Sequence, residues 1–125
     1  MFWNKKKDKP KALEITDANF NEYVETDQGI LLDFYASWCG PCQVLGPIID
    51  ELSVDFKDRA VVAKVNVDQN PNLTAFFKVK SMPTLIFIKN KQVLEQIKGM
   101  VPKPNLEEML EDLIVYEFDK SEEEE

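Results

Sequence analysis

The chain has 125 residues, 44% of them hydrophobic, which is the size and apolar content of one domain with a core of its own. A formal net charge of −8 argues against general nucleic-acid binding, which needs a basic face to neutralise phosphates. No apolar run approaches the roughly 18 residues of a membrane span, and Met1-Phe2-Trp3 is followed too soon by lysines to be a signal peptide, so a soluble, cytoplasmic protein without membrane contact is expected.

Residues 1–11 hold five lysines and one aspartate and read as a solvated basic arm; residues 117–125 hold six acids and one lysine and read as a solvated acidic tail. Between them, 12–116 form the domain. Residues 12–15 suggest a short strand. Thr16 or Asp17 is placed to cap a helix over about 18–25, with Phe20, Tyr23 and Val24 on its buried side. Asp27-Gln28-Gly29 marks a turn. Residues 30–35, ILLDFY, are almost continuously apolar, as in a strand covered on both faces, and Asp33 interrupts them. Helical periodicity runs over 44–57 through Leu45, Ile48, Ile49, Leu52 and Phe56, with Pro47 inside it as a kink.

Residues 61–67, VVAKVNV, predict the next strand, and Asn70-Pro71 opens a short helix carrying Leu73, Phe76 and Phe77. A strand over 84–88 turns at Asn90-Lys91 into an antiparallel partner over 93–98. Gly99 ends it, and Leu106, Met109, Leu110, Leu113 and Ile114 mark a last amphipathic helix. The order β-α-β-α-β-α-β-β-α predicts an α/β fold, a mixed sheet flanked by helices on both faces.

Both cysteines lie in S-W-C-G-P-C-Q, residues 37–43. Zinc would want four ligands, usually Cys and His, and the chain has no His. A purely structural bridge between Cys39 and Cys42 closes so short a loop that it constrains the unfolded chain by roughly 2 kcal/mol, which a core of this size does not depend on. The third reading is redox. Cys39 follows a strand and precedes a helix, where backbone N–H groups and the helix dipole favour a negative sulfur, the nucleophile of disulfide exchange. Cys42, one turn on, is close enough to resolve a mixed disulfide formed at Cys39, and its sulfur should be the more buried of the two.

With DFYASWCGPC (33–42), Pro47, VAKVNVD (62–68), MPT (82–84) and Gly99, the chain from about 12 to 116 resembles the thioredoxins. The resemblance implies the thioredoxin fold and a protein-disulfide reductase of cell redox homeostasis, active as a monomer. Electrons would come from a separate NADPH-dependent thioredoxin reductase, and disulfide-containing client proteins would receive them. It implies no cofactor or metal in the chain itself, and the chain has no Gly-rich phosphate loop.

Residue by residue, the resemblance makes Asp33, behind the cysteines, the proton acceptor for Cys42. Burial should raise its pKa for that task. It places Lys64 beside Asp33, and it makes Pro83 cis and packed against the pair. Met82 would offer its backbone to an extended client segment, and Trp38, Gly40, Pro41, Met82, Pro83, Thr84, Gly99 and Met100 would form the client-binding surface. Ordinary packing for Trp38 and a solvated strand position for Asp33 or Lys64 are the plainer alternatives.

Gln43, Tyr35, Ser81, Lys91 and Pro102 depart from common family residues. Gln43 removes a positive charge next to the site, and Pro102 shifts the last helix so that Pro104 falls in its first turn. An oxidase or isomerase of an oxidising compartment, or a binding module using the same apolar rim, are the competing functions. The Gly-Pro pair and the missing export signal weigh against the former.

Overall fold

The computed structural model describes residues 9–118; most of the basic arm (1–8) and most of the acidic tail (119–125) lie outside the described residues. Nine elements follow in chain order: β1 (Leu13–Glu14), α1 (Phe20–Val24), β2 (Gly29–Tyr35), α2 (Gly40–Asp55), β3 (Ala60–Asn66), α3 (Pro71–Phe76), β4 (Thr84–Lys89), β5 (Gln92–Lys98) and α4 (Lys103–Val115). They build one five-stranded sheet ordered β1-β3-β2-β4-β5. The β1–β3 and β3–β2 pairs are parallel, and the β2–β4 and β4–β5 pairs are antiparallel. This is the mixed sheet of the thioredoxin fold.

The near-continuous apolar run of β2 has its physical cause in the sheet's centre. Successive side chains of a strand point to opposite faces, so a strand with helices on both sides must be apolar at every position. Leu31 joins Leu45, Ile49, Leu52, Val62, Leu85, Phe87, Leu106 and Leu110 in the core under α2 and α4. Ile30, Leu32 and Phe34 join Ala63, Val65, Leu73, Phe77, Ile86 and Ile88 in the core of the opposite face, under α1 and α3. Asp33 belongs to the α2 face and is fully buried.

Helix α2 runs unbroken through Pro47. Gly29 opens β2 where a Cβ would collide with the Leu113 side chain of α4. Asn90 and Lys91 both take positive φ (51° and 64°), the conformation of a two-residue hairpin turn, with a lysine where glycine is the easier residue.

Two local expectations change. The first helix is only Phe20–Val24, and neither Thr16 nor Asp17 caps it. Thr16 instead exchanges hydrogen bonds with Asn19: the Thr16 amide donates to Asn19 Oδ1 (2.7 Å) and the Asn19 amide to Thr16 Oγ1 (3.2 Å). The Asp17 carboxylate accepts from the amides of Asn72 (3.1 Å) and Leu73 (2.9 Å), so it caps α3, more than fifty residues away. Helix α4 has Pro102 at its N-cap and Pro104 in its first turn. Among the described residues no helix is long and apolar enough to cross a membrane.

Candidate redox site

The site forms where β2 gives way to α2. Cys39 is the N-cap of α2, in extended backbone conformation (φ −91°, ψ 117°), and its Sγ accepts a hydrogen bond from the Cys42 amide at 3.2 Å. Pro41, with no N–H to leave unsatisfied, fits the first turn beside exposed Gly40. The helical turn sets the two Cα atoms 5.3 Å apart, and the structure holds a Cys39–Cys42 disulfide. Both cysteines are buried to nearly the same degree (6% and 5% exposed), so burial does not separate them as the sequence suggested. What separates them is the side each one faces.

Cys39 faces the turn at Met82. Its Sγ lies 3.6 Å from the Met82 carbonyl oxygen. The Met82–Pro83 bond is cis, and Met82 packs against the small cluster that Ala36 forms with the two cysteines. The Pro83 carbonyl accepts from the Gly99 amide (2.9 Å), which brings the Gly99-Met100 segment alongside. Gly99 has φ +98°, open to glycine and rarely to other residues, and Met100 is exposed. Thr84 is fully buried, and its hydroxyl donates to the Ser81 carbonyl (2.7 Å). It shapes the turn before β4 and offers no surface to a client.

Trp38 is 68% exposed, which settles against ordinary core packing. Its Nε1 donates to Asp68 Oδ2 at 2.9 Å, a partner that sequence reasoning missed although Asp68 ends the VAKVNVD run. Gln43 spends its amide on the Ser37 carbonyl (2.8 Å), closing the loop in front of the cysteines.

Cys42 faces inward. It lines a cavity of about 280 Å³ with Asp33, Tyr35, Gly46, Asp50 and Lys64. Neither oxygen of Asp33 has a hydrogen-bond partner among the described residues. Burial raises the Asp33 pKa from 3.8 to about 7; Lys64 pulls it down, and Glu14 and Asp50 add to the rise. Lys64 is the neighbour of Asp33 in the β2–β3 register, but its ammonium pairs with Asp50 Oδ1 at 2.9 Å. The Tyr35 hydroxyl donates to both oxygens of Glu14 (2.9 and 3.0 Å); burial and that bond push its pKa up to about 12. Glu14 and Asp50 were not legible as site residues, because each reads as a solvated position on its own element. Among the described residues no group of His, Cys, Asp or Glu side chains is placed to hold a metal ion.

This arrangement presents one sulfur at a helix N-terminus beside an extended backbone edge, and a second beside a buried carboxyl group that titrates near neutrality. It is the layout of two-step disulfide exchange. A thioredoxin family model matches residues 11–112. The chain is 46% identical to a thioredoxin of Chlorobaculum thiosulfatiphilum over 94 residues, covering 74% of this chain and 87% of that one. It is 43% identical to thioredoxin 2 of Chlorobaculum tepidum over 105 residues (83% and 96%) and 41% identical to a thioredoxin of Alicyclobacillus acidocaldarius over 103 (82% and 98%).

Proposed function

The chain belongs to the thioredoxin family and is a thiol-disulfide oxidoreductase, and from that premise we propose how its residues divide the exchange. The observation that carries the assignment is Cys39 Sγ as the N-cap acceptor of α2, met by the Cys42 amide. In the reduced protein that amide and the helix dipole favour a thiolate at Cys39. The thiolate attacks one sulfur of a client disulfide; the client S–S bond breaks and its other sulfur leaves as a thiolate. The Cys42 thiol then gives its proton, through water in the cavity the two residues share, to the Asp33 carboxylate, and the resulting thiolate attacks Cys39 Sγ. The mixed disulfide breaks, the second client thiolate leaves, and the Cys39–Cys42 bond forms. The client gains two electrons and the pair loses two.

The surface of Trp38, Gly40, Pro41, Met82, Pro83, Gly99 and Met100 receives the client, with Met82 offering its carbonyl to an extended segment as an added strand would find it. Disulfide-containing proteins are the substrates. Re-reduction falls to an NADPH-dependent thioredoxin reductase, and the setting is the cytoplasm, with the protein working as a monomer.

A trap tests the division of labour. Cys42→Ser leaves Cys39 able to attack and nothing to resolve, so stable mixed disulfides with client proteins accumulate and can be resolved on a non-reducing gel. Cys39→Ser accumulates none. Trapping by Cys39→Ser alone would reverse the roles, and equal trapping by the two variants would show that no such division exists.

A further inference from the structure

Three carboxylates and one ammonium meet behind the cysteines. Glu14, Lys64 and Asp33 are register neighbours across β1, β3 and β2, so all three point to the face that α2 covers. From α2 come Asp50 and Cys42, and from β2 itself Tyr35; β4 contributes the apolar Leu85 opposite Asp33. Lys64 could serve any of the three carboxylates, and the structure gives it to Asp50 (2.9 Å) with both side chains largely buried.

Several features hold that choice. Asp50 Oδ1 also accepts the Ala12 amide (2.8 Å), which pins the carboxylate to the strand entering β1. Gly46, one turn before Asp50, flanks the ammonium, and a Cβ there would only reach ordinary contact with Lys64 Nζ at 3.4 Å. The Tyr35 ring stands 6.0 Å from Nζ, and the Tyr35 hydroxyl occupies Glu14.

We propose that Asp50 is a positioning residue of the exchange reaction: by drawing the Lys64 ammonium to the helix side of the cluster, it leaves the Asp33 carboxyl group without a cation in contact. The consequence is chemical. An Asp33 paired with Lys64 would stay ionised well below neutrality and be a weak acceptor for the Cys42 proton, whereas an unpaired one titrates where it can take and return a proton. The inference rests on the reading of Asp33 as that acceptor, so its test follows Asp33 directly.

The side-chain carboxyl carbon of Asp33 is titrated by NMR in the full-length oxidised protein and in Asp50→Asn, Lys64→Gln and the double variant. Asparagine keeps an acceptor for the Ala12 amide. Asp50→Asn should lower the Asp33 midpoint by about one pH unit, by freeing Lys64 to approach it. Lys64→Gln should raise the midpoint. In the Lys64→Gln background the Asp50→Asn shift should shrink to roughly a few tenths of a unit, the mark of coupling through the lysine.

An unmoved or raised midpoint in Asp50→Asn overturns the proposal. So does an equal drop with and without Lys64, which would make Asp50 a bystander charge. A separate measurement, the pH profile of client-disulfide reduction, should shift with the Asp33 midpoint. If the midpoint moves and the profile does not, Asp33 is not the proton acceptor and Asp50 still positions Lys64.

Discussion

Asp33 is the residue whose physics and chemistry conflict most. Its carboxyl group is fully buried without a hydrogen-bond partner, and its pKa rises from 3.8 to about 7, chiefly through desolvation. The sign for stability follows. Between those two values the native state holds a proton that the unfolded chain has lost, so stability falls as pH rises through that window and levels off above it. A change of this size corresponds to about 4 kcal/mol at 1.36 kcal/mol per unit, as an order of magnitude. Asp33→Asn removes the ionisable group. Urea unfolding should therefore show the variant gaining on the parent from about pH 4 to pH 7 and holding a constant advantage above. An advantage independent of pH would place the effect in packing and not in ionisation. The same variant should reduce client disulfides at least tenfold more slowly at pH 7, since a positioned proton acceptor is worth roughly 10²–10⁴ in rate. In the mechanism we propose, the reaction uses a charge that stability alone would not favour.

At the scale of elements, the ends of the helices matter more than their middles. The N-terminus of α2 is capped by a sulfur of the redox pair, and that of α3 by Asp17 from the far side of the sequence. The C-terminus of α4 is closed by Lys89, the last residue of β4. Its buried ammonium donates to the carbonyls of Leu113 (2.8 Å), Ile114 (2.9 Å) and Tyr116 (2.9 Å). A cation there satisfies acceptors that the helix leaves open and sits at the negative end of its dipole. Lys89→Met preserves the aliphatic stem and removes all three donors at once. It should cost about 1.5–3 kcal/mol in denaturant unfolding, the range for hydrogen bonds from a charged group. A loss below about 0.5 kcal/mol, ordinary for a surface substitution, would mean that water replaces the ammonium freely. Sequence reasoning ended this strand at Ile88, one residue short of Lys89. A lysine there reads as a solvated strand end, and nothing local announces acceptors lying twenty-four to twenty-seven residues on.

For the whole molecule, what the sequence made legible was whatever depends on period and short spacing. The buried run of β2, the alternation of strands and helices, the hairpin, and the two cysteines one turn apart all follow from local rules. Asp33 stood out because it broke such a run. Asp50, Glu14 and Asp68 did not stand out, and Asp17 stood out only as a cap for the neighbouring helix, because each owes its role to a partner on another element. The same distinction bears on the two ends. Lys9 and Lys11 are exposed, and the first buried residue among those described is Ala12, whose amide is held by Asp50. At the other end Leu113 is the last buried side chain of α4, and Tyr116 and Glu117 are exposed. The working domain we propose is therefore residues 12–116, with basic and acidic segments outside its core. If so, a protein trimmed to residues 9–118 should unfold within about 3 °C of the full chain, the range for changes of up to roughly 0.5 kcal/mol in a domain this size. Its rate of client reduction at high salt should match that of the full chain. At low salt, where the Debye length grows to about 30 Å, any difference in rate would report steering of charged clients by the removed ends, and it should vanish above roughly 0.15 M. A fall in the unfolding midpoint of 5 °C or more would instead assign one of the ends to the core, and the boundary at residue 12 or 116 would have to move outward.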